Sequence, residues 1–258
     1  MRFFIHMAYR GAPFHGWQRQ PQEPTVQSVT ERAFATLLRL PHVEVTGAGR
    51  TDAGVNARMM IAHVDIPDDA ASAIVADSSS FLRSLNALTG RDIAIYSLTE
   101  MASDAHARFD ATARTYRYFV HTGKDPFAGA LSWQAPPTLD FEAMNAAAAL
   151  LLGRHDFTSF AKLHSDTKTN ICTVTSAGWH AMGARRFFFE ITADRFLRNM
   201  VRAVVGTLVD VGRHKTEPTD IIAVRDSLDR CSAGTSMPGE PLFLWNIEYP
   251  YYEAATPL

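Results

Sequence analysis

The chain has 258 residues, 47% apolar and 20% charged, which is enough for one full hydrophobic core or two modest ones and excludes intrinsic disorder. No apolar run reaches the roughly 18 residues that a membrane-spanning helix needs, and the opening apolar stretch is too short for a secretion signal, so we expect a cytoplasmic protein with no membrane anchor. The net charge of −2 excludes a global attraction to nucleic acid, so RNA binding requires a local patch.

The first half of the sequence predicts four strands and two helices. Apolar residues alternate over residues 3–9, which predicts a strand, and recur at helical spacing over 26–38, which predicts a helix. Two strands, a helix and a last strand follow at 43–46, 59–66, 81–88 and 93–98. The predicted order is strand, helix, strand, strand, helix, strand.

The second half repeats this order. Its predicted strands lie at 115–121, 171–180, 185–192 and 242–249. Its predicted helices at 141–152 and 196–211 end at Gly153 and Gly212, and an additional helix covers 221–228. A βαββαβ order is typical of ferredoxin-like folds, so we expect an α+β protein with two such halves, residues 1–105 and 106–258, each an antiparallel sheet backed by helices.

The most distinctive segment is GAGRTDAGV at residues 47–55, at a predicted turn between two strands. Its glycines let the backbone approach a ligand closely, but their spacing fits neither a dinucleotide fingerprint nor a P-loop. Asp52 is either a catalytic carboxylate or a turn residue bonded to its own backbone, and both interpretations stay open. Arg50 lies two residues earlier, so its guanidinium can lie beside the carboxylate or bind what the carboxylate acts on.

Arginine dominates the positive charge, since 21 of the 25 basic residues are arginine. Arg195, Arg198 and Arg202 are predicted to share one face near the start of the 196–211 helix, where they oppose the helix dipole. Stability does not explain this placement, so we consider an anionic partner, either a buried carboxylate such as Asp52 or a phosphate. Three solvated side chains are the alternative.

A third segment places aromatic residues on the strand at 115–121. Arg114, Tyr116 and Tyr118 share one face, and aromatic residues flanked by arginine on an exposed sheet suit base stacking. Aromatic residues on a buried strand face are the alternative. The sequence leaves both interpretations open.

No metal site is predicted, because the histidines show no ligand spacing and the polar stretch 164–166 is interpreted as loop. Cys172 and Cys231 form no CxxC pair and suggest neither a disulfide framework nor a thiol nucleophile. A glycosidase with paired carboxylates stays open on residue types, and the possible partners of Asp52 are Asp92, Asp110 and Asp194.

Several segments together resemble the TruA-type tRNA pseudouridine synthases. In the order of that family they are GWQRQ at 16–20, GAGRTDAGV at 47–55, HARFDATARTYRY at 106–118, DFTSF at 156–160 and FLRNMVRAVVGTL at 196–208. Several independent motifs in one order argue against a chance match.

The resemblance implies a catalytic role for Asp52, a tyrosine at Tyr116 that packs on the target base, and an arginine at Arg202 that pairs with Asp52 in an active-site cleft between the two halves. It also implies that Arg50 displaces or replaces the flipped nucleotide and that Arg108 binds RNA. One residue departs from the family, since Asn56 stands where members usually have histidine. This departure puts only a local contact in doubt.

The resemblance further implies a homodimer that isomerises uridine to pseudouridine at positions 38–40 of the tRNA anticodon stem-loop with no metal or cofactor. A water-excluding pocket disfavours an ionised carboxylate, so a paired arginine is needed to keep Asp52 charged. Two other classes remain as alternatives. One is a non-catalytic RNA-binding module that uses Tyr116 and Tyr118, and the other is a glycoside or nucleoside hydrolase that releases free base or sugar.

Overall fold

The computed structural model describes residues 1–162 and 168–254, and the chain forms two compact units. The first unit comprises Met1–Thr112 and Leu244–Leu258, and the second comprises Ala113–Phe243. Residues 106–112 and the C-terminal residues thus group with the first unit, whereas the sequence places the division near residue 105. The polar stretch 164–166 lies outside the described residues.

The first unit is built on an antiparallel sheet. Its elements are β1 (Arg2–Tyr9), α1 (Val26–Leu38), β2 (Val45–Gly47), β3 (Asn56–Asp65), α2 (Asp68–Ala76), α3 (Ser78–Thr89) and β4 (Ile93–Met101). Strand β1 pairs with β4 on one side and β3 on the other, and β2 pairs with β3. This order, 4-1-3-2, is that of a ferredoxin-like sheet, so the predicted fold of the first half is confirmed.

Local sequence explains the helix layer of this unit. Thr25 caps α1, because its hydroxyl accepts a hydrogen bond from the Ser28 amide while the Ser28 hydroxyl bonds back to the Thr25 backbone. Helices α1 and α3 meet through Phe34 and Phe81, whose ring centroids lie 6.0 Å apart. On β1, the Phe4 ring packs against Tyr249 and Tyr252, with ring centroids 5.4 and 5.2 Å apart. The helix α2 was not predicted.

The second unit is also α+β. Its elements are β5 (Ala113–Thr122), β6 (Trp133–Ala135), α4 (Phe141–Ala149), β7 (Gly153–Asp156), β8 (Ile171–Ala181), β9 (Arg186–Ala193), α5 (Met200–Gly212), α6 (Asp220–Asp226) and the start of β10 (Leu242–Glu248). The antiparallel strand order is β5-β9-β8-β7, and β6 pairs parallel to β5. Helix α4 packs on this sheet, with the Phe141 ring stacked 3.9 Å from Phe187. The short strands β6 and β7 were not predicted.

The start of α5 corrects a prediction. The apolar spacing predicts a helix from residue 196, but α5 begins at Met200. Asn199 has a φ of 67°, a left-handed conformation that cannot continue a helix backwards. Leu197 is nevertheless 4% exposed, because a turn before the helix buries it. The apolar pattern therefore predicted the burial of Leu197 correctly, but it predicted a helical backbone before Met200 wrongly.

Among the described residues, none of the helices combines the length and the apolar character needed to cross a membrane.

Candidate active site

Asp52 lies in the first unit, on the loop that joins β2 to β3, where the sequence places it. Its side chain is half-buried, and its carbonyl accepts a hydrogen bond of 3.2 Å from the Val55 amide, which closes a tight turn. Arg50 is exposed on the same loop. The loop therefore presents a carboxylate and a cation two residues apart.

Contacts with the segment after β1 fix this loop. The Trp17 amide donates to the Thr51 carbonyl at 3.1 Å, and the Tyr9 hydroxyl lies 2.8 Å from the Thr51 hydroxyl in the interior. Trp17 is buried and packs so closely over Gly47 that an added Cβ would lie 2.6 Å from its ring. The residue before Asp52 is thus held by backbone and side chain together, which preorganises the carboxylate.

Gly16 is required where this segment crosses the loop. Its φ is +87°, and a Cβ there would lie 2.6 Å from the Thr51 carbonyl oxygen. We expect Gly16→Ala to lower the free energy of unfolding by about 1–3 kcal/mol and to reduce activity, because the Asp52 loop must shift. Urea unfolding and initial rates measure both effects.

Gly49→Ala is the matched control for Gly16→Ala, since a Cβ at Gly49 meets nothing within 4 Å. Its unfolding free energy should stay within about 0.5 kcal/mol of the parent value. Equal losses of stability in the two variants would show that the close approach at Gly16 does not hold the loop.

Asn56, the residue at which the sequence departs from the resemblance, forms a buried hydrogen bond. Its side chain is 1% exposed, and its Oδ1 accepts a hydrogen bond of 2.8 Å from the Gly11 amide in the interior. The amide therefore ties the first residue of β3 to the turn after β1. The sequence could not predict this pairing, because 45 residues separate the two partners.

Arg108 is exposed in the segment 105–110 of the same unit. Two histidines hold the backbone of this segment. The Ala107 amide donates to Nδ1 of His63 at 3.2 Å, and the Arg108 amide donates to Nδ1 of His106 at 3.1 Å. The two imidazole rings lie 4.6 Å apart in an edge-to-face arrangement. Nδ1 of His63 acts as an acceptor, so this arrangement needs a neutral His63 imidazole.

Burial of His63, together with the nearby Arg2 and His106, lowers the pKa of its imidazole to about 4. The folded protein therefore resists protonation of His63, while the unfolded chain takes up the proton near its ordinary pKa of about 6.5. This contribution to stability is complete above about pH 6.5 and is lost as the pH falls towards 4, by at most about 1.4 kcal/mol per pH unit.

The variant His63→Gln lacks this titration, so its unfolding free energy should fall less than that of the parent protein between pH 7 and pH 5. Urea unfolding at several pH values measures the difference. Parallel pH profiles would contradict a buried neutral His63.

Tyr116 lies in the second unit, on β5, opposite Ile191 of β9. Its side chain is 9% exposed, and its ring stands edge-on to Phe196 at 5.0 Å. Tyr118, on the same face, is fully buried, and its hydroxyl has no hydrogen-bond partner within the described parts of the chain. Burial raises the pKa of the Tyr118 phenol well above its usual range.

These positions decide between the two interpretations of the tyrosine strand. Tyr118 is fully buried, so an exposed stacking surface that uses both rings is wrong, whereas Tyr116 keeps 9% of its surface exposed. The alternative of a non-catalytic RNA-binding module that stacks bases on both rings is therefore not supported, because Tyr118 exposes no surface to a base.

Arg202 lies in the first turn of α5 and is half-buried. Its Nε donates to the Met237 carbonyl at 2.6 Å, and the Met237 amide donates back to the Arg202 carbonyl at 3.1 Å. The Met237 segment is itself held against α5, because the Gly234 amide donates to the Thr207 hydroxyl at 2.9 Å. These bonds fix the orientation of the guanidinium, and no sequence pattern indicated the role of Met237.

The predicted stripe of three arginines is wrong. Arg195 and Arg198 precede α5, so only Arg202 lies on the helix. The backbone before α5 serves other contacts, since the Arg198 carbonyl accepts a hydrogen bond from the Lys162 amide at 2.9 Å. The argument for an anionic partner of this helix therefore rests on Arg202.

The carboxylates considered as partners of Asp52 in a glycosidase have other contacts. Asp92 pairs with Arg10 at 2.9 Å, and Asp194 accepts from the backbone amides of Thr173 and Arg195. Asp110 accepts from the Tyr251 hydroxyl and the His106 amide, and these bonds lower the pKa of Asp110. Each carboxylate thus has a structural role.

The described residues contain no cluster of three or more side chains suited to hold a metal ion. Cys172 is buried, and burial raises the pKa of its thiol to about 12, so it carries no thiolate at neutral pH. Cys231 is exposed.

Comparison with known proteins identifies the family. A sequence profile described as tRNA pseudouridine synthase matches residues 147–250. The chain is 50% identical over 249 residues to tRNA pseudouridine synthase A of Parabacteroides distasonis, with 96% of both chains covered. The protein of the same name from Bacteroides thetaiotaomicron is 51% identical over 251 residues, with 96% of this chain and 91% of the relative covered.

A more distant sequence relative agrees. The Bacillus subtilis tRNA pseudouridine synthase A is 37% identical over 253 residues, with 96% of this chain and 99% of the relative covered. Among solved structures, a chain in a crystal structure of a Cbf5-Nop10-Gar1 complex aligns with 80% of this chain and 54% of its own length, at 10% identity and a TM-score of 0.33. On the evidence of the sequence relatives, the chain belongs to the tRNA pseudouridine synthase A family of isomerases, which convert uridine to pseudouridine.

Proposed function

We propose that the protein isomerises uridines at positions 38–40 of the tRNA anticodon stem-loop, with Asp52 as the catalytic carboxylate. The observation that carries this proposal is a half-buried carboxylate on a loop fixed by Tyr9, Gly16 and Trp17. The names of the full-length relatives supply the reaction and the class of RNA. The match of several motifs to the TruA type supplies the position in the tRNA.

The reaction places few demands on the protein. The N1–C1′ bond of uridine breaks, the uracil turns, and a C5–C1′ bond forms, while C5 loses its hydrogen and N1 gains one. No net oxidation occurs and no atom is added, so one carboxylate can assist both bond changes. Water must be excluded, because hydrolysis of the same bond would release free uracil.

Arg202 and Tyr116 support the carboxylate in this proposal. Arg202 supplies the positive charge that balances the Asp52 carboxylate when the bound RNA excludes water, and the Met237 carbonyl orients its guanidinium beforehand. Tyr116 packs on the target base, which must leave its stack at a cost of a few kcal/mol. The edge of Phe196 holds the Tyr116 ring in a fixed orientation for that contact.

Two exposed arginines complete the proposal. Arg50 occupies the place that the flipped nucleotide leaves in the RNA stack, since it lies on the same loop as Asp52. Arg108 binds the RNA backbone, because a guanidinium makes bidentate contacts with phosphate. We also propose that the enzyme works in the cytoplasm as a homodimer, which sedimentation of the purified protein tests.

The test uses purified protein and unmodified tRNA transcripts that carry uridine at positions 38, 39 and 40. Carbodiimide labelling and primer extension should map pseudouridine to those positions, and transcripts with cytidine there should remain unmodified. Modification elsewhere would overturn the proposed position. Release of free uracil would instead make the protein a hydrolase.

A further inference from the structure

An exposed phenylalanine stands at the tip of the segment 105–110 in the first unit. Phe109 is 74% exposed, although a phenyl ring left in water gains none of the free energy of burial. Singly exposed apolar residues are common and need no explanation by themselves. The surroundings of Phe109 are what distinguish it.

Phe109 is flanked by a second ring and a cation. The imidazole of His106 lies 4.2 Å from the phenyl centroid at an interplanar angle of 33°, and the Arg108 guanidinium lies 5.8 Å from the same centroid. An exposed phenyl ring that contacts a tilted imidazole and lies beside a positive charge is suited to an unstacked nucleobase and its phosphate. An apolar protein partner would gain little from the charge.

The backbone that carries Phe109 is rigidly supported. Nδ1 of His106 accepts hydrogen bonds from the Arg108 and Phe109 amides, at 3.1 and 3.3 Å. The Tyr249 hydroxyl donates to the Ala107 carbonyl at 2.5 Å. Ligand binding therefore costs little loop entropy, which favours affinity at an exposed site.

We propose that Phe109 is a stacking platform for an unpaired nucleobase of the substrate RNA, with Arg108 on the adjoining phosphate. This inference rests on the proposed function, since it assumes an RNA substrate, and it adds a binding residue outside the Asp52 loop. The stacked base is a different nucleotide from the one that Asp52 converts. Phe109 contributes to affinity and leaves the chemical step unchanged.

The test measures the Kd for an unmodified tRNA transcript by fluorescence anisotropy. Phe109→Leu keeps an apolar side chain but removes the π face, so its Kd should rise about 5- to 150-fold. Phe109→Tyr keeps the π face and should bind within about threefold of the parent. The control is Phe127→Leu, because Phe127 is 92% exposed in the second unit and should leave the Kd unchanged.

Further readouts separate stacking from charge and from folding. The rate at saturating tRNA and the melting temperature should be unchanged in Phe109→Leu, because the ring is exposed. The salt dependence of its Kd should match the parent, whereas Arg108→Met should lower the slope of log K against log salt by about one unit.

Three results would overturn the inference. One is a Kd for Phe109→Leu within about twofold of the parent, and another is an equal loss in Phe109→Tyr. The third is a parent dimer that Phe109→Leu converts to monomer, which would make this loop a contact between copies. If the parent protein binds tRNA but forms no pseudouridine, the proposed function is refuted. The Kd values of the Phe109 variants then still test the stacking inference by themselves.

Discussion

Asp52→Asn should abolish pseudouridine formation, with a fall in rate of about 10⁴-fold or more, while tRNA still binds within about threefold of the parent Kd. Asparagine has the same shape as aspartate but carries no negative charge and accepts no proton. The Thr51 contacts with Tyr9 and Trp17 do not involve the Asp52 side chain, so the loop should keep its conformation.

Asp69→Asn is the matched control for Asp52→Asn, since it makes the same chemical change at an exposed position of α2. It should retain full activity. Each protein is incubated with one tRNA transcript, and pseudouridine is mapped at positions 38–40. Turnover by Asp52→Asn within about tenfold of the parent would exclude Asp52 as the catalytic group.

Arg202→Met should lower the rate at saturating tRNA by about 10²- to 10³-fold, because the variant lacks the positive charge that we propose to act on the Asp52 carboxylate. Methionine fills the space of the arginine stem. The lost hydrogen bond to the Met237 carbonyl should lower the free energy of unfolding by only about 1 kcal/mol. The fold should therefore survive.

A conservative variant separates an electrostatic role of Arg202 from a structural one. Arg202→Lys keeps a positive charge and should recover part of the activity that Arg202→Met loses, because the proposed role needs a cation at this position. Arg213→Met, on an exposed residue at the end of α5, is the control and should behave like the parent. Normal rates in Arg202→Met, or an equal loss in Arg202→Lys, would contradict the ion-pair role.

Elements whose sequence specifies both a cap and a buried face could be predicted. The helix α1 is observed over Val26–Leu38, as the spacing predicts, because Thr25 caps it and Phe34 lies on its buried face. The position of Asp52 between two strands followed from the change of period around the glycine loop. By contrast, β7 carries the polar sequence GRHD, and its partner β8 rather than its own pattern makes it a strand.

Contacts between distant segments could not be predicted. The hydrogen bond from Gly11 to Asn56 and the crossing of Gly16 over Thr51 exist only in the folded unit. The predicted start of α5 was wrong because Asn199 has a left-handed backbone conformation. Apolar spacing indicates which residues are buried and says nothing about φ. The GWQRQ segment at 16–20 contributes to the resemblance, but only the structure shows that Gly16 and Trp17 support the Asp52 loop.

Loss of the C5 hydrogen gives the most direct measurement of the central claim that Asp52 performs the isomerisation. Transcripts labelled with tritium at C5 of uridine are mixed with enzyme in excess, at concentrations that bind all of the tRNA. The parent protein should release tritium to water in a single turnover, and Asp52→Asn should release none above background while the tRNA stays bound. Release by bound Asp52→Asn at a rate close to that of the parent would contradict the claim.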